Sequence, residues 1–170
     1  MHHIGPATMH NLNKKESTTK SNEKLFTALE KVNIKKDVVM LVFGEIDCRL
    51  HIYHQYIKQR EKHSISELID KTIANFSEVL DKIKTKGVRL CILGIPAVGT
   101  EENKYNFEFF PTPEIQSQIY KEFNDRIKQF CDRKKYPYID IYSKVSDERG
   151  FIKKGYLQKA LSAEIFRQLR

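Results

Sequence analysis

Two apolar runs separated by one well-marked helix constrain this chain more than any other feature of it. The first spans 37–43 (DVVMLVF), continuous and rich in β-branched residues; the second spans 88–95 (VRLCILGI) and is closed by Pro96. Strands of this kind are buried on both faces and belong to parallel sheets covered by helices. Between them, Ser64 and Glu67 have capping-box spacing, and Gly87 stands where a left-handed C-cap glycine would. Ile65, Leu68, Ile69, Ile73, Phe76, Leu80 and Ile83 recur at helical spacing, so the sequence predicts a helix over 64–86.

The same alternation continues downstream. Thr112 and Pro113 mark a helix start, followed by an apolar stripe of Ile115, Ile119, Phe123, Ile127 and Cys131. A third strand is expected at 138–142 (YIDIY), and an amphipathic helix at 157–169. Upstream, residues 11–24 (NLNKKESTTKSNEK) read as an exposed loop. Ser21 is expected to cap a helix running to about Val32, with Leu25, Phe26, Leu29 and Val32 as its stripe. No internal repeat is visible. Alternating strands and helices predict an α/β fold with a mostly parallel sheet and right-handed crossovers. The 170 residues fit a single domain, 1–170.

Composition narrows the function classes. There are 30 basic and 22 acidic residues, a net charge of +8, but acids are interleaved with bases nearly everywhere. No basic stripe carries interleaved aromatics and no glycine-rich phosphate loop occurs, so the excess reads as a solvated surface and no nucleic acid is expected as partner. No apolar run approaches the roughly 18 residues that cross a bilayer. The N-terminus (MHHIGPATMH) lacks the pattern of a secretion signal. Cys48, Cys91 and Cys131 are odd in number and far apart, which argues against a disulfide framework and a cysteine zinc site. The expectation is a cytoplasmic domain without membrane contact, metal or other cofactor.

In open α/β sheets, ligands bind at the carboxyl ends of the strands. That rule points to Gly44–Asp47, the loop from Pro96 onward, and Ser143–Gly150. The densest polar group is Gly44-Glu45-Ile46-Asp47-Cys48-Arg49-Leu50-His51. If this segment stays extended, Glu45, Asp47, Arg49 and His51 share one face; if it turns helical, Asp47 and His51 become an i, i+4 pair. A carboxylate beside an imidazole fixes its tautomer and raises its pKa. Asp47 and His51 are therefore the candidate catalytic residues. Gly44, Glu45, Asp47, Arg49 and His51 are the candidate ligand-binding residues. The competing reading is an internal ion-pair network that anchors the turn. His2, His3, His10, His54 and His63 read as structural or surface residues. Cys48 would be a nucleophile only with a lowered pKa, and a buried inert thiol is expected instead. The apolar segment 105–110 (YNFEFF) is expected to pack.

The string VVMLVFGEIDCRLHI, with HHIGPATMH before it and ILGIPAV after it, resembles the SGNH (GDSL-like) hydrolases, and most of all a bacterial branch associated with surface-glycan gene clusters. The resemblance extends over almost the whole chain, including YPYIDIYSKVSDERGFIKKGY; its most specific piece is GEIDCRxH. It implies a three-layer α/β/α sandwich, SGNH/flavodoxin-like, and cleavage of acyl esters, often acetyl groups on carbohydrates. In that family a serine in a Gly-Asp-Ser block follows the first strand, and an Asp and a His stand in a DxxH block near the C-terminus. This chain departs from that pattern in three places. It contains no Gly-Asp-Ser. Gly44 and Asp47 match the third block, but Ile46 stands where the oxyanion-holding Asn is usual. After Gly155-Tyr156 the chain reads LQKALS, and no histidine follows His63; Asp147 lies upstream without one.

The resemblance thus implies a carbohydrate O-acyl hydrolase lineage, truncated or catalytically impaired here. The alternative is a non-catalytic binder of a glycan or other anionic ligand at Glu45, Asp47, Arg49 and His51, where Arg49's planar fork suits a carboxylate or phosphate. The family's first strand is central in its sheet. Without it, the strand at 37–43 would show an open edge. Three outcomes are expected: the N-terminal segment pairs there, a second copy covers the edge as a homodimer, or the native protein has sequence upstream.

Overall fold

The computed structural model describes residues 3–14, 16–59, 62–99 and 110–153. At its centre is a parallel sheet of three strands in sequential order, β1 (Val38–Val42), β2 (Arg89–Leu93) and β3 (Tyr138–Ile139). The β1–β2 register runs from Val38 beside Arg89 to Val42 beside Leu93, and β3 places Tyr138 beside Ile92. Helix α1 (Ser21–Leu29) precedes the sheet, α2 (Ile52–Lys58) and α3 (Ile65–Lys84) connect β1 to β2, and α4 (Pro113–Lys134) connects β2 to β3; a short α5 (Tyr142–Val145) follows. The architecture is mixed α/β, with a parallel open sheet.

Local chemistry accounts for the two long helices. The Ser64 hydroxyl accepts the Glu67 N–H at 3.2 Å while the Glu67 carboxylate accepts the Ser64 N–H at 2.7 Å, closing the capping box. Thr112 caps α4 through the Ile115 N–H, and Pro113 occupies the first turn. For sequential parallel strands, crossovers of the usual right hand set both helices on one face of the sheet. There α3 and α4 pack side by side and run parallel. Ser66 donates to Glu122, Arg126 pairs with Asp70 and Glu122, and Lys134 lies 3.8 Å from Asp81. Exposed pairs of this kind stabilise by ~1 kcal/mol at most. The apolar layer beneath them holds the face together: Phe76, Leu80, Ile83, Ile119, Phe123 and Ile127 are all fully buried.

Asn124 of α4 ties the sheet to this layer. Its Oδ1 accepts the Ile95 N–H at 3.0 Å and the Tyr138 hydroxyl at 3.1 Å, and its Nδ2 donates to the Tyr120 carbonyl at 2.8 Å. Gly94 leaves the room for this contact, since a Cβ there would collide with the Tyr138 hydroxyl and Asn124 Oδ1.

The structure departs from the sequence reading at β1. Leu41 is buried, but Val38 is 48% and Val42 59% exposed. Among the described residues β1 pairs only with β2, so it is an edge strand and not a strand buried on both faces. Residues 3–14 form no strand beside it; they carry a 3₁₀ turn at Met9–Asn11. The reading of 11–24 as exposed loop is also corrected. Leu12 is 1% exposed and its carbonyl accepts from Asn22, and α1 already begins at Ser21. Lys20 in a left-handed conformation (φ +48°) precedes that helix, and Ser21 is buried with its hydroxyl 2.6 Å from that of Thr19 rather than capping. The third strand is only two residues long, because Tyr142 opens α5. The segments 105–109 and 157–169 lie outside the described residues. No helix among the described residues is long and apolar enough to cross a membrane.

Candidate functional site

The site is built by the turn that ends β1. Gly44 has φ +105°, and a Cβ there would lie 2.7 Å from two ring carbons of Phe123. Backbone conformation and space both require glycine. The chain turns helical at once: the Cys48 N–H donates to the Gly44 carbonyl at 3.0 Å, a π-helical turn covers Asp47–His51, and α2 follows. Turns of this type inside helices recur at functional sites. The extended alternative for Glu45, Asp47, Arg49 and His51 is thereby excluded, and the four side chains divide into separate contacts.

Glu45 and Arg49 form an i, i+4 pair at 2.7 Å, with side chains 46% and 36% exposed. The Tyr120 hydroxyl donates to the same Glu45 oxygen at 3.4 Å; burial first, then the Glu45 charge, pushes that phenol's pKa well up. Buried Gln116 holds the turn from α4 through the Arg49 carbonyl.

Asp47 is fully buried and is not the partner of His51. Its carboxylate accepts the Met9 N–H at 2.7 Å and the His10 N–H at 3.2 Å, so it clamps the N-terminal 3₁₀ turn to the rim. Burial raises its pKa to about 7 against the pull of these donors, and the Glu45 charge adds to the rise.

His51 faces His10 instead, with ring centroids 4.6 Å apart and planes tilted by 47°. Its Nε2 is buried and has no hydrogen-bond partner among the described residues. Burial, then the charges of His10, His54 and Lys14, lowers its pKa to about 4. His10 is also lowered, by burial first and then by Lys14 and Lys71. Thr72 fixes the His10 tautomer. The single Thr72 proton goes to the Leu68 carbonyl at 2.8 Å, so in the 3.4 Å contact His10 Nδ1 is the donor and Nε2 keeps its lone pair. At neutral pH the rim therefore holds two uncharged imidazoles beside a half-exposed ion pair.

The sequence reads His10 as a structural or surface residue; its contact with Asp47 spans 37 positions and carries no local signal. Cys48 is fully buried, and burial with the Asp47 and Glu45 charges pushes its thiol up, away from thiolate. Asp147 closes its own turn by accepting the Arg149 and Phe151 N–H groups, both at 2.9 Å, and these contacts hold its pKa down. With Ser146, Glu148, Arg149 and Lys153 it lines a surface cavity. The loop after β2 meets this turn where the Ile152 N–H donates to the Val98 carbonyl at 2.8 Å. Among the described residues no three His, Cys, Asp or Glu side chains converge as a metal site. No family model matches the chain, and no curated protein matches it.

Proposed function

We propose that this chain is a domain of the SGNH ester-hydrolase type, a three-layer α/β/α sandwich of the carbohydrate O-acyl hydrolase lineage. In this reading the rim after β1 binds a glycan or other anionic ligand, and the chain's own residues do not assemble a serine triad. One observation carries it: the turn at the carboxyl end of β1 gathers the Glu45–Arg49 pair and the His10–His51 pair where open α/β sheets take their ligands. Glu45 offers acceptors and Arg49 a planar donor fork, a mixture that matches sugar hydroxyls and carboxylates.

Serine acyl transfer needs a nucleophile, a base within hydrogen-bond reach and an oxyanion hole. The hydroxyl that meets His10 belongs to Thr72, whose proton is committed to the Leu68 carbonyl. The alkyl side chain of Ile46 cannot donate to an oxyanion, and loss of one such donor typically lowers the rate by about 10²–10³. Asp47 is committed to backbone amides and serves as an anchor.

The test is intact-mass labelling with a fluorophosphonate probe, together with imidazole NMR during titration with an O-acetylated oligosaccharide. The expected result is no adduct while a control hydrolase reacts, and a shift of the His51 ring signals that Arg49→Ala weakens without lowering Tm. One serine labelled stoichiometrically would make the chain an active esterase. Equal loss of Tm and binding in Arg49→Ala would make Arg49 structural.

A further inference from the structure

We propose that two copies of this chain associate through β1, edge to edge and antiparallel, about a two-fold axis passing through Met40. The inference rests on the sheet edge and is independent of any ligand at the rim.

The large hydrophobic residues exposed among the described residues are Ile34 (49%), Val38 (48%) and Val42 (59%), and all three lie on β1 or in the turn leading into it. Edge strands are ordinarily blunted by a lysine, a proline or a bulge. β1 has none of these: Val-Val-Met-Leu-Val is uncharged, and its register with β2 is regular over all five residues. Its far side presents backbone donors and acceptors that no described strand takes up.

The strand is nearly symmetric about its centre, and this selects a second copy as the occupant. A two-fold axis at Met40 sets Val38 against Val42 of the second copy and Val39 against Leu41, so every position meets an apolar residue and the two most exposed valines cover each other. Charge selects the antiparallel direction. Exposed Lys35 and Lys36 precede the strand and half-exposed Glu45 follows it. Antiparallel pairing brings the lysines of one copy toward the glutamate of the other, whereas parallel pairing would set lysines on lysines. The contact is isologous and closes at two copies, joining the sheets into one.

Sedimentation equilibrium of the full chain tests this. The expected mass is twice the 20.0 kDa of one chain. V38K/V42K sets lysine against lysine at both crossings and should weaken association by about 100-fold or more. Because both valines are already exposed, its melting curve should stay cooperative. Met40→Cys should form an interchain disulfide, since directly opposed antiparallel residues have Cα atoms about 4.5–5.5 Å apart, within disulfide range. The native cysteines do not compete, because all three are buried. A monomer throughout a dilution series would overturn the proposal. So would a dimer that V38K/V42K leaves intact, which would place the contact elsewhere.

Discussion

Asp47→Asn gives the most informative perturbation of this fold. The wild-type carboxylate is fully buried, and its pKa rises from an ordinary 3.8 to about 7, chiefly through desolvation. A group held above its unfolded value binds its proton more tightly in the folded state. Its stabilising contribution is complete below about pH 4 and is lost as pH rises through about 7. At ~1.4 kcal/mol per pH unit, the interval of about three units corresponds to ~4 kcal/mol. The asparagine variant does not titrate, and its Oδ1 can still accept the Met9 N–H. Urea unfolding of both proteins at matched pH values from 5 to 8 reads the difference. The variant should gain on the wild type as pH rises, by up to ~3 kcal/mol across that range. His51 titrates in the opposite sense in both proteins, so its contribution drops out of the comparison. A difference that stays constant with pH would refute the argument, because it would mean that Asp47 ionises as a solvated carboxylate despite its burial.

Three further outcomes are expected. Gly44→Ala should destabilise by about 2–4 kcal/mol, from left-handed strain together with collision with the Phe123 ring; Phe123→Leu in the same chain should recover the steric part, and no recovery would assign the whole effect to backbone conformation. Asn124→Ala should destabilise by about 2–4 kcal/mol, because the buried Ile95 N–H and the Tyr138 hydroxyl lose their acceptor; a loss below about 1 kcal/mol in urea unfolding would show that water replaces the side chain. In an imidazole NMR titration His51 should stay neutral down to about pH 4, and the stability it contributes above its ordinary 6.5 should fall away as pH drops through about 4. A midpoint near 6.5 would mean that the ring is solvated.

The elements that could be read from the sequence are those whose signals are local. Ser64 with Glu67, and Thr112 with Pro113, announce helix starts through bonds that span three residues, and the structure forms both. The apolar run before Gly94 marks β2 because its neighbours on both sides are present. The run before Phe43 is equally apolar, but composition does not say which strands lie alongside it, and among the described residues β1 has a neighbour on one side only. At the rim, Glu45, Asp47, Arg49 and His51 fit either period two or a helical turn. The arbiter is the positive φ of Gly44 and its approach to Phe123, a contact between distant parts of the chain. The partners of Asp47 and His51 come from Met9 and His10 for the same reason. Helix α2 has no side-chain cap, so no capping residue marks its start in the sequence.

The three cysteines give the fold a built-in clock. Cys48 sits in the rim turn, Cys91 in β2 and Cys131 in α4; each is at most 3% exposed, and burial raises the thiol pKa of all three, that of Cys131 to about 12. Alkylation requires an exposed thiolate, so each sulfur reports the opening of its own layer. The sequence in which mass increments accumulate in a single native sample would therefore rank rim, sheet and helix by how readily each one breathes.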